Sequence, residues 1–256
     1  MNHIFAIQRA EIFSPNSVNR DHAILKRVAD RTGAQIIREE DLTEDTLQGA
    51  ALIYTMGRSE TTLDLLQKKE EEGVRVLNPS EGLRQCRRSL LEKTMREYHL
   101  PVPPPTGEHG WWLKRGDSSA TEKGDVVYCK DETELLRQRK SFAARGIKDI
   151  ICQAHIPGDI IKFYCVRNRM FRYFYPGDSS YSKFGDENIN GAPHHYPFDE
   201  EGLRNDIFRL SEIVNVPICG GDAIVSPEGN YYIIDFNDWP SFARCREEAA
   251  DAIVSL

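Results

Sequence analysis

The chain has 256 residues, with 33 Lys and Arg against 40 Asp and Glu, a net charge of −7. That balance argues against a broad, non-specific nucleic-acid surface, and no apolar run approaches the ~20 residues that span a bilayer. With 40% hydrophobic and 29% charged residues it reads as an ordinary soluble globular protein, large enough for one sizeable domain or two small ones. The start, MNHIFAIQRAEIF, lacks the basic region and apolar core of a signal peptide. Six cysteines are scattered without a C-x-x-C pair, which suggests neither a zinc site nor a disulfide framework. The compartment expected from these features is the cytoplasm.

In chain order, residues 3–8 read as a first strand and Val18–Thr32 as a helix that Gly33 stops. Ala34–Arg38 and Ala50–Met56 follow as strands, then a helix over about Thr61–Glu72 with Leu63, Leu65 and Leu66 inward. Gly73 ends it and Val74–Leu77 forms a fourth strand. Strands alternating with helices predict a parallel α/β sheet, and the lack of G-x-G-x-x-G after the first strand gives no sign of a dinucleotide site. A helical stretch from Asn78-Pro79-Ser80 to Tyr98 changes its apolar phase near Arg87-Arg88, which predicts two helices or a kink. His99–Thr106 (HLPVPPPT) cannot be helical and reads as an extended linker.

Beyond that linker, Trp111–Lys114 and Asp125–Cys129 read as paired strands around the polar loop Arg115–Gly124. A helix over about Thr133–Arg145 and a strand at Ile150–Gln153 complete a small lid-like unit, and Ile160–Val166 is another strand. Phe171–Tyr175 is a further strand, Ser179–Pro197 a long polar loop, and Glu201–Val214 a helix.

The chain then reaches GGDAIVSPEGNYYIIDFNDWPSF, residues 220–242. Two strand-forming runs flank Pro227-Glu228-Gly229-Asn230, a hairpin pattern. If Ser226 pairs with Tyr231, Asp222 comes opposite Asp235 and Gly220 opposite Asn237, and opposed side chains share a face. Two carboxylates at ~5 Å repel by roughly 3 kcal/mol at an effective dielectric near 20. A cation between them relieves this, and oxygen donors of the Asp/Asp/Asn kind suit Mg²⁺ held partly by substrate phosphates. The alternatives are an incidental acidic pair, an aspartate held by an arginine, or a one-residue slip that separates the two acids.

Lys114 leaves an apolar strand towards a polar loop, where it is either a phosphate contact or a solvent-facing strand-end lysine. Lys162 heads the apolar strand IIKFYCV and is harder to dismiss, since lysine is rarely buried unpaired. Arg87-Arg88 either touches a phosphate or decorates a helix. His155 reads as structural and His194-His195 as surface. No serine or cysteine sits in a nucleophile-elbow context. Two lysines for phosphate and an Asp/Asp/Asn set for Mg²⁺ combine into the parts that phosphoryl transfer uses.

With these residues in place the sequence resembles the ATP-grasp superfamily, of the glutathione synthetase and D-alanine–D-alanine ligase kind, from about Asn78 to the C-terminus. Asp222, Asp235, Asn237 and Pro240 match its metal-binding hairpin. The resemblance implies an α/β chain, with a small parallel N-terminal α/β domain over 1–86 followed by a two-subdomain ATP-grasp domain over 87–256. Its lid subdomain would cover about 107–154 and its C-terminal subdomain about 155–256.

The resemblance further implies ATP and Mg²⁺ as cofactors, with Asp222, Asp235 and Asn237 on the metal. Gln153, Ala154, His155 and Ile156 would contact adenine partly through their backbone. Lys114 would meet the α- and β-phosphates and Lys162 phosphate or substrate, both in catalytic roles, and Arg88 falls where many members have a lysine. Gly220 would leave space for phosphate. The chain departs from the pattern in its Gly116–Gly124 flap, which is not glycine-rich, and in Asp235, where Glu is commoner.

The expected activity is an ATP-dependent ligase that joins a small-molecule or peptide carboxylate to an amine. A small-molecule kinase and a non-catalytic nucleotide-binding protein are the competing readings. The acceptor would meet Ser179–Pro197, with Arg172, Lys183 and the two histidines at hand. Neither nucleic acid nor membrane is an expected partner.

Overall fold

The computed structural model describes residues 3–117, 123–178 and 191–256. Four parallel strands form the N-terminal sheet in the order β2-β1-β3-β4: β1 His3–Gln8, β2 Gln35–Arg38, β3 Ala50–Thr55 and β4 Arg75–Leu77. Alternate residues of β1 point to opposite layers, as the two-residue period of a strand requires. Ala6 packs with Ile24, Leu25 and Val28 of α1 (Val18–Thr32), whereas Phe5 and Ile7 pack with Leu63 and Leu66 of α2 (Glu60–Glu71). Gly33 closes α1 at φ 72°, and the Ser59 hydroxyl caps α2 by accepting from the Thr62 amide.

The predicted break in the next helical stretch falls between α3 (Ser80–Gln85) and α4 (Arg88–Glu97). The proline-rich segment after α4 is extended but not a free linker. Its Pro101 carbonyl accepts from the Ile233 amide at 2.7 Å and its Pro104 carbonyl from the Ala154 amide at 2.7 Å. It thereby stitches together the edges of two sheets.

One of these is the lid, a three-stranded antiparallel sheet in the order β6-β5-β7: β5 Trp111–Arg115, β6 Val126–Cys129 and β7 Ile150–Ala154. Leu113 and Cys129 bury one lid face against Phe142 of α5 (Glu132–Ala144). Trp112, Lys114, Tyr128 and Gln153 lie on the other face by register. The C-terminal sheet has the order β11-β10-β8-β9, all antiparallel: β8 Asp159–Val166, β9 Met170–Phe174, β10 Ile218–Val225 and β11 Tyr231–Asp238.

One face of this sheet packs through Phe163, Ala223 and Ile233 on α4 and on α6 (Glu200–Ile213). The other face is covered at one end by α1 and α7 (Arg246–Val254), through Val166, Ile218 and Ile253. Its remaining end carries Asp222 and Lys162, paired across β10 and β8. All six cysteines are free thiols. Among the described residues no helix is long and apolar enough to cross a membrane.

Candidate active site

Asp222 stands opposite Asp235, and Gly220 opposite Asn237, in the β10–β11 ladder. The turn reaches that register by a different route from the one expected. Val225, not Ser226, pairs with Tyr231, and the odd residue is absorbed as a bulge at Ile234, between the pairs Ala223–Ile233 and Asp222–Asp235.

On the next strand Lys162 lies directly across from Asp222, and its Nζ is 2.8 Å from Asp222 Oδ1. Asn237 donates its amide to Asp235 Oδ2 at 2.9 Å, and Arg88 Nη2 lies 3.9 Å from Asp235 Oδ1. Burial pushes the Asp235 carboxyl up, but Arg88, Lys114, the Asn237 amide and Lys162 outweigh it and hold it below the usual range. Burial likewise pulls the Lys162 ammonium down, and Asp222 more than offsets that. The repulsion foreseen for the two aspartates is thus relieved by the chain's own cations.

Among the described residues no group of three or more His, Cys, Asp or Glu is arranged to hold a metal. The two carboxylates and one amide are hard oxygen donors, the kind that suits Mg²⁺ when phosphate oxygens complete its shell.

Lys114 reaches across from the lid. Its Nζ donates to the Ile234 carbonyl at 2.8 Å and to Gln153 Oε1 at 2.8 Å, and Gln153 Nε2 donates to Glu92 Oε2 at 2.6 Å. The carbonyl that meets Lys114 belongs to the bulged residue, which the ladder leaves unpaired. Burial holds the Lys114 ammonium down to about 8, Asp235 pulling it back up and Arg88 pushing it further down. Arg88, at the start of α4, donates to the Arg115 carbonyl at 2.9 Å. A small cleft lined by Arg88, Glu92, Lys114, Gln153, Ile234 and Asp235 joins these elements.

The segment expected to form an adenine hinge is partly engaged already. The Ala154 amide donates to Pro104 and the His155 amide to Gly110. Contacts to a base would therefore fall to the carbonyls of the hinge and to Ile156. His155 is buried and accepts at Nδ1 from Trp112 Nε1 at 3.1 Å, and burial lowers its pKa. Trp112 and Tyr128 stand 5.5 Å apart beside it, an aromatic surface that the sequence reading did not single out.

Gly220 needs correction. A Cβ there would lie 2.8 Å from the ring of Pro240, so the glycine makes room for that proline and not for a phosphate. The flap is described only at Gly116, Asp117, Lys123 and Gly124, and the rest of it lies outside the described residues, as do Lys183 and most of the loop 179–197. His194 and His195 are exposed, the first against Asp159 and the second against Asp178.

A second cluster, invisible to motif reading, adjoins the site. Asp238, beside Asn237, receives Arg9 Nη2 at 3.2 Å and Arg58 Nε at 3.3 Å, and Arg9 also binds Asp21 at 3.2 Å. Asn78 exchanges two hydrogen bonds of 2.8 Å with the backbone of Ile218. These bonds pin the Asp238 end of β11 and the start of β10 to the ends of the N-terminal strands.

No protein-family model matches the sequence, and no curated protein matches it. Solved structures match over the whole chain. The D-alanine–D-alanine ligase of Coxiella burnetii has a TM-score of 0.66 at 11% identity, covering 100% of this chain and 95% of that one. D-alanyl-alanine synthetase A of Vibrio cholerae has 0.67 at 11%, covering 99% and 96%. The ATP-grasp ligase PsnB, complexed with a precursor variant, Mg and ADP, has 0.65 at 12%, covering 99% and 98%. At such identities the likeness shows the fold, and the fold is ATP-grasp.

Proposed function

We propose, on the premise of an ATP-grasp fold, that this chain is an ATP- and Mg²⁺-dependent ligase that activates a carboxylate as an acyl phosphate and joins it to an amine. The observation that carries this reading is one sheet face bearing Asp222, Asp235, Asn237 and Lys162, whose Asp235 lines a small cleft together with Lys114 and Arg88. The chemistry Mg²⁺ would supply when bound is neutralisation of phosphate charge. Asp222, Asp235 and Asn237 would hold it.

A carboxylate oxygen attacks the γ-phosphorus and ADP leaves. The amine then attacks the acyl carbon, the phosphate departs with the C–O electron pair, and the amine loses a proton. Charge neutralisation and positioning suffice for both steps, in keeping with a cleft that no described serine or cysteine lines. Trp112 and Tyr128, on the lid face shared with Lys114, would give the base an apolar surface.

Calorimetry with Mg-ATP tests the binding step. Asp235→Asn and Lys114→Ala are each expected to weaken affinity at least tenfold, and an unchanged affinity in both would overturn the reading. Phosphate release that requires carboxylate and amine together separates the ligase from a kinase.

A further inference from the structure

Arg88 and Glu92 stand one turn apart on α4, and both hold the lid. Arg88 donates to the carbonyl of Arg115, next to Lys114, and Glu92 accepts from Gln153. Through Gln153 a chain of hydrogen bonds joins α4, the lid and β11. Arg96 Nη2 donates to Glu92 Oε1 at 2.5 Å, Gln153 Nε2 to Glu92 Oε2 at 2.6 Å, and Lys114 Nζ to Gln153 Oε1 at 2.8 Å. Arg96 also donates to the Pro103 carbonyl at 2.8 Å, in the proline-rich segment. The chain ends on the Ile234 carbonyl at the β11 bulge, 2.8 Å from Lys114 Nζ.

This chain runs in one direction only. A carboxylate accepts and an ammonium donates, so the amide between them must turn its NH2 to Glu92 and its oxygen to Lys114. Without an acceptor at position 92 the amide would be free to turn over and set its NH2 against the ammonium, donor against donor. Gln153 is 3% exposed and the Glu92 side chain 12%, so water is a poor substitute for either partner. Leu91, Met95, Ile151 and Phe236 line the same cleft. Polar groups set among such apolar neighbours are unfavourable unless each is partnered, and apolar residues of similar volume often pack as stably as a buried charged network. Packing alone therefore does not account for the chain.

Lys114, at its end, keeps a donor in hand. An ammonium has three N–H bonds, and among the described residues two of them are taken, by Gln153 and by Ile234. We propose that Glu92 is the positioning residue for Lys114. Acting through Gln153, it fixes the ammonium beside the β11 bulge and leaves the third N–H for a phosphate oxygen of the nucleotide. A donor held in place in advance binds more tightly than one that must first be ordered. The ligand named here rests on the ligase reading, whereas the hold of Glu92 on Lys114 does not need a nucleotide.

The test exchanges the two side chains. Glu92→Gln alone leaves Arg96 and Gln153 one acceptor oxygen between them, and Gln153→Glu alone sets two carboxylates against each other where the 2.6 Å bond runs. The double variant restores every bond. Arg96 donates to the amide oxygen at position 92, its NH2 donates to the carboxylate at position 153, and that carboxylate accepts from Lys114. By calorimetry each single variant is expected to weaken Mg-ADP binding at least fivefold, and the double variant to return within about twofold of wild type. A side chain that merely packs would show losses that add. Full affinity in both single variants, or no recovery in the double variant, overturns the proposal.

A second measurement needs no nucleotide. Acetylation by an N-hydroxysuccinimide ester, read by mass spectrometry, should modify Lys114 at least threefold faster in Glu92→Leu than in wild type, with the exposed Lys26 as the internal standard. An unchanged Lys114 rate overturns the proposal as well. Faster acetylation of Lys114 in Glu92→Leu, in a chain whose wild type does not bind Mg-ADP, would instead count against the ligase reading alone.

Discussion

Lys114 offers the most direct test of the proposal that the cleft takes a nucleotide. The residue is only 9% exposed, and burial holds its ammonium down to about 8. Between pH 7 and pH 9 the charged fraction of such a group falls roughly tenfold, from about nine-tenths to about one-tenth. A polyphosphate beside it favours the charged form, so binding above pH 8 must draw in a proton. Mg-ADP affinity should therefore fall about tenfold between pH 7 and pH 9, or ~1.4 kcal/mol. Calorimetry at pH 7, 8 and 9 in buffers of different ionisation heat reads both the affinity and the proton uptake, with Lys114→Gln as the baseline for the nucleotide's own titration. The same slope in wild type and variant, or no proton uptake at pH 8.5, would refute the argument. Stability carries the matching sign. Between about pH 8 and the ordinary lysine value the unfolded chain holds more protons than the folded one, so stability rises with pH there, by up to ~3 kcal/mol, and the variant should lack that rise.

Asp238→Ala leaves the Arg9 and Arg58 side chains, 7% and 17% exposed, without their shared carboxylate. Breaking a buried pair costs about 3–5 kcal/mol, a fall in Tm of roughly 6–20 °C by circular dichroism for a chain of this size, and a fall under 2 °C would contradict it. Burial pushes the Asp238 carboxyl up, but Arg58 and Arg9 together hold it below its ordinary value. Its contribution is therefore present above the usual carboxylate range and lost as pH falls below it, so acid unfolding should begin at higher pH in wild type relative to each protein's neutral stability than in Asp238→Ala. Gly221→Ala would place a Cβ 2.1 Å from the Asp235 carbonyl and 2.6 Å from Phe163 Cζ. Overpacking of this kind costs about 1–3 kcal/mol, and urea unfolding that matches wild type would show that β11 can shift to accommodate it.

The N-terminal layers were readable because their signals are local. The apolar period of Val18–Thr32, Gly33 at its end and the phase change near Arg87 each act within a few residues, and each corresponds to an observed boundary. The Arg9–Asp238 and Arg58–Asp238 bonds join residues 229 and 180 apart in sequence, and no spacing rule reaches that far. The Lys114–Ile234 bond spans 120 residues and uses a backbone carbonyl, so side-chain identity carries no trace of it. Glu92 was within reach of the sequence. It lies four residues after Arg88 on one helix, the spacing that puts two side chains on one face, and both line the cleft.

The hairpin shows how a correct register can rest on an incomplete argument. Counting back from a Ser226–Tyr231 pair brings Asp222 opposite Asp235, yet the turn takes in Ser226, whose amide donates to the Asn230 carbonyl at 2.8 Å, and the first ladder pair is Val225–Tyr231. A regular ladder continued from that pair would set Ile234 opposite Asp222 and turn Asp235 onto the face packed by α4 and α6. The adjacent Ile233 and Ile234 break the alternation at that point, and the strand absorbs the extra residue there. Ile233 keeps its place in the helix-packed core, and Asp235 emerges beside Asp222. The unpaired carbonyl of Ile234 is the one that Lys114 reaches from the lid. A single irregularity thus sets the two aspartates on one face and ties the lid to the strand that carries one of them.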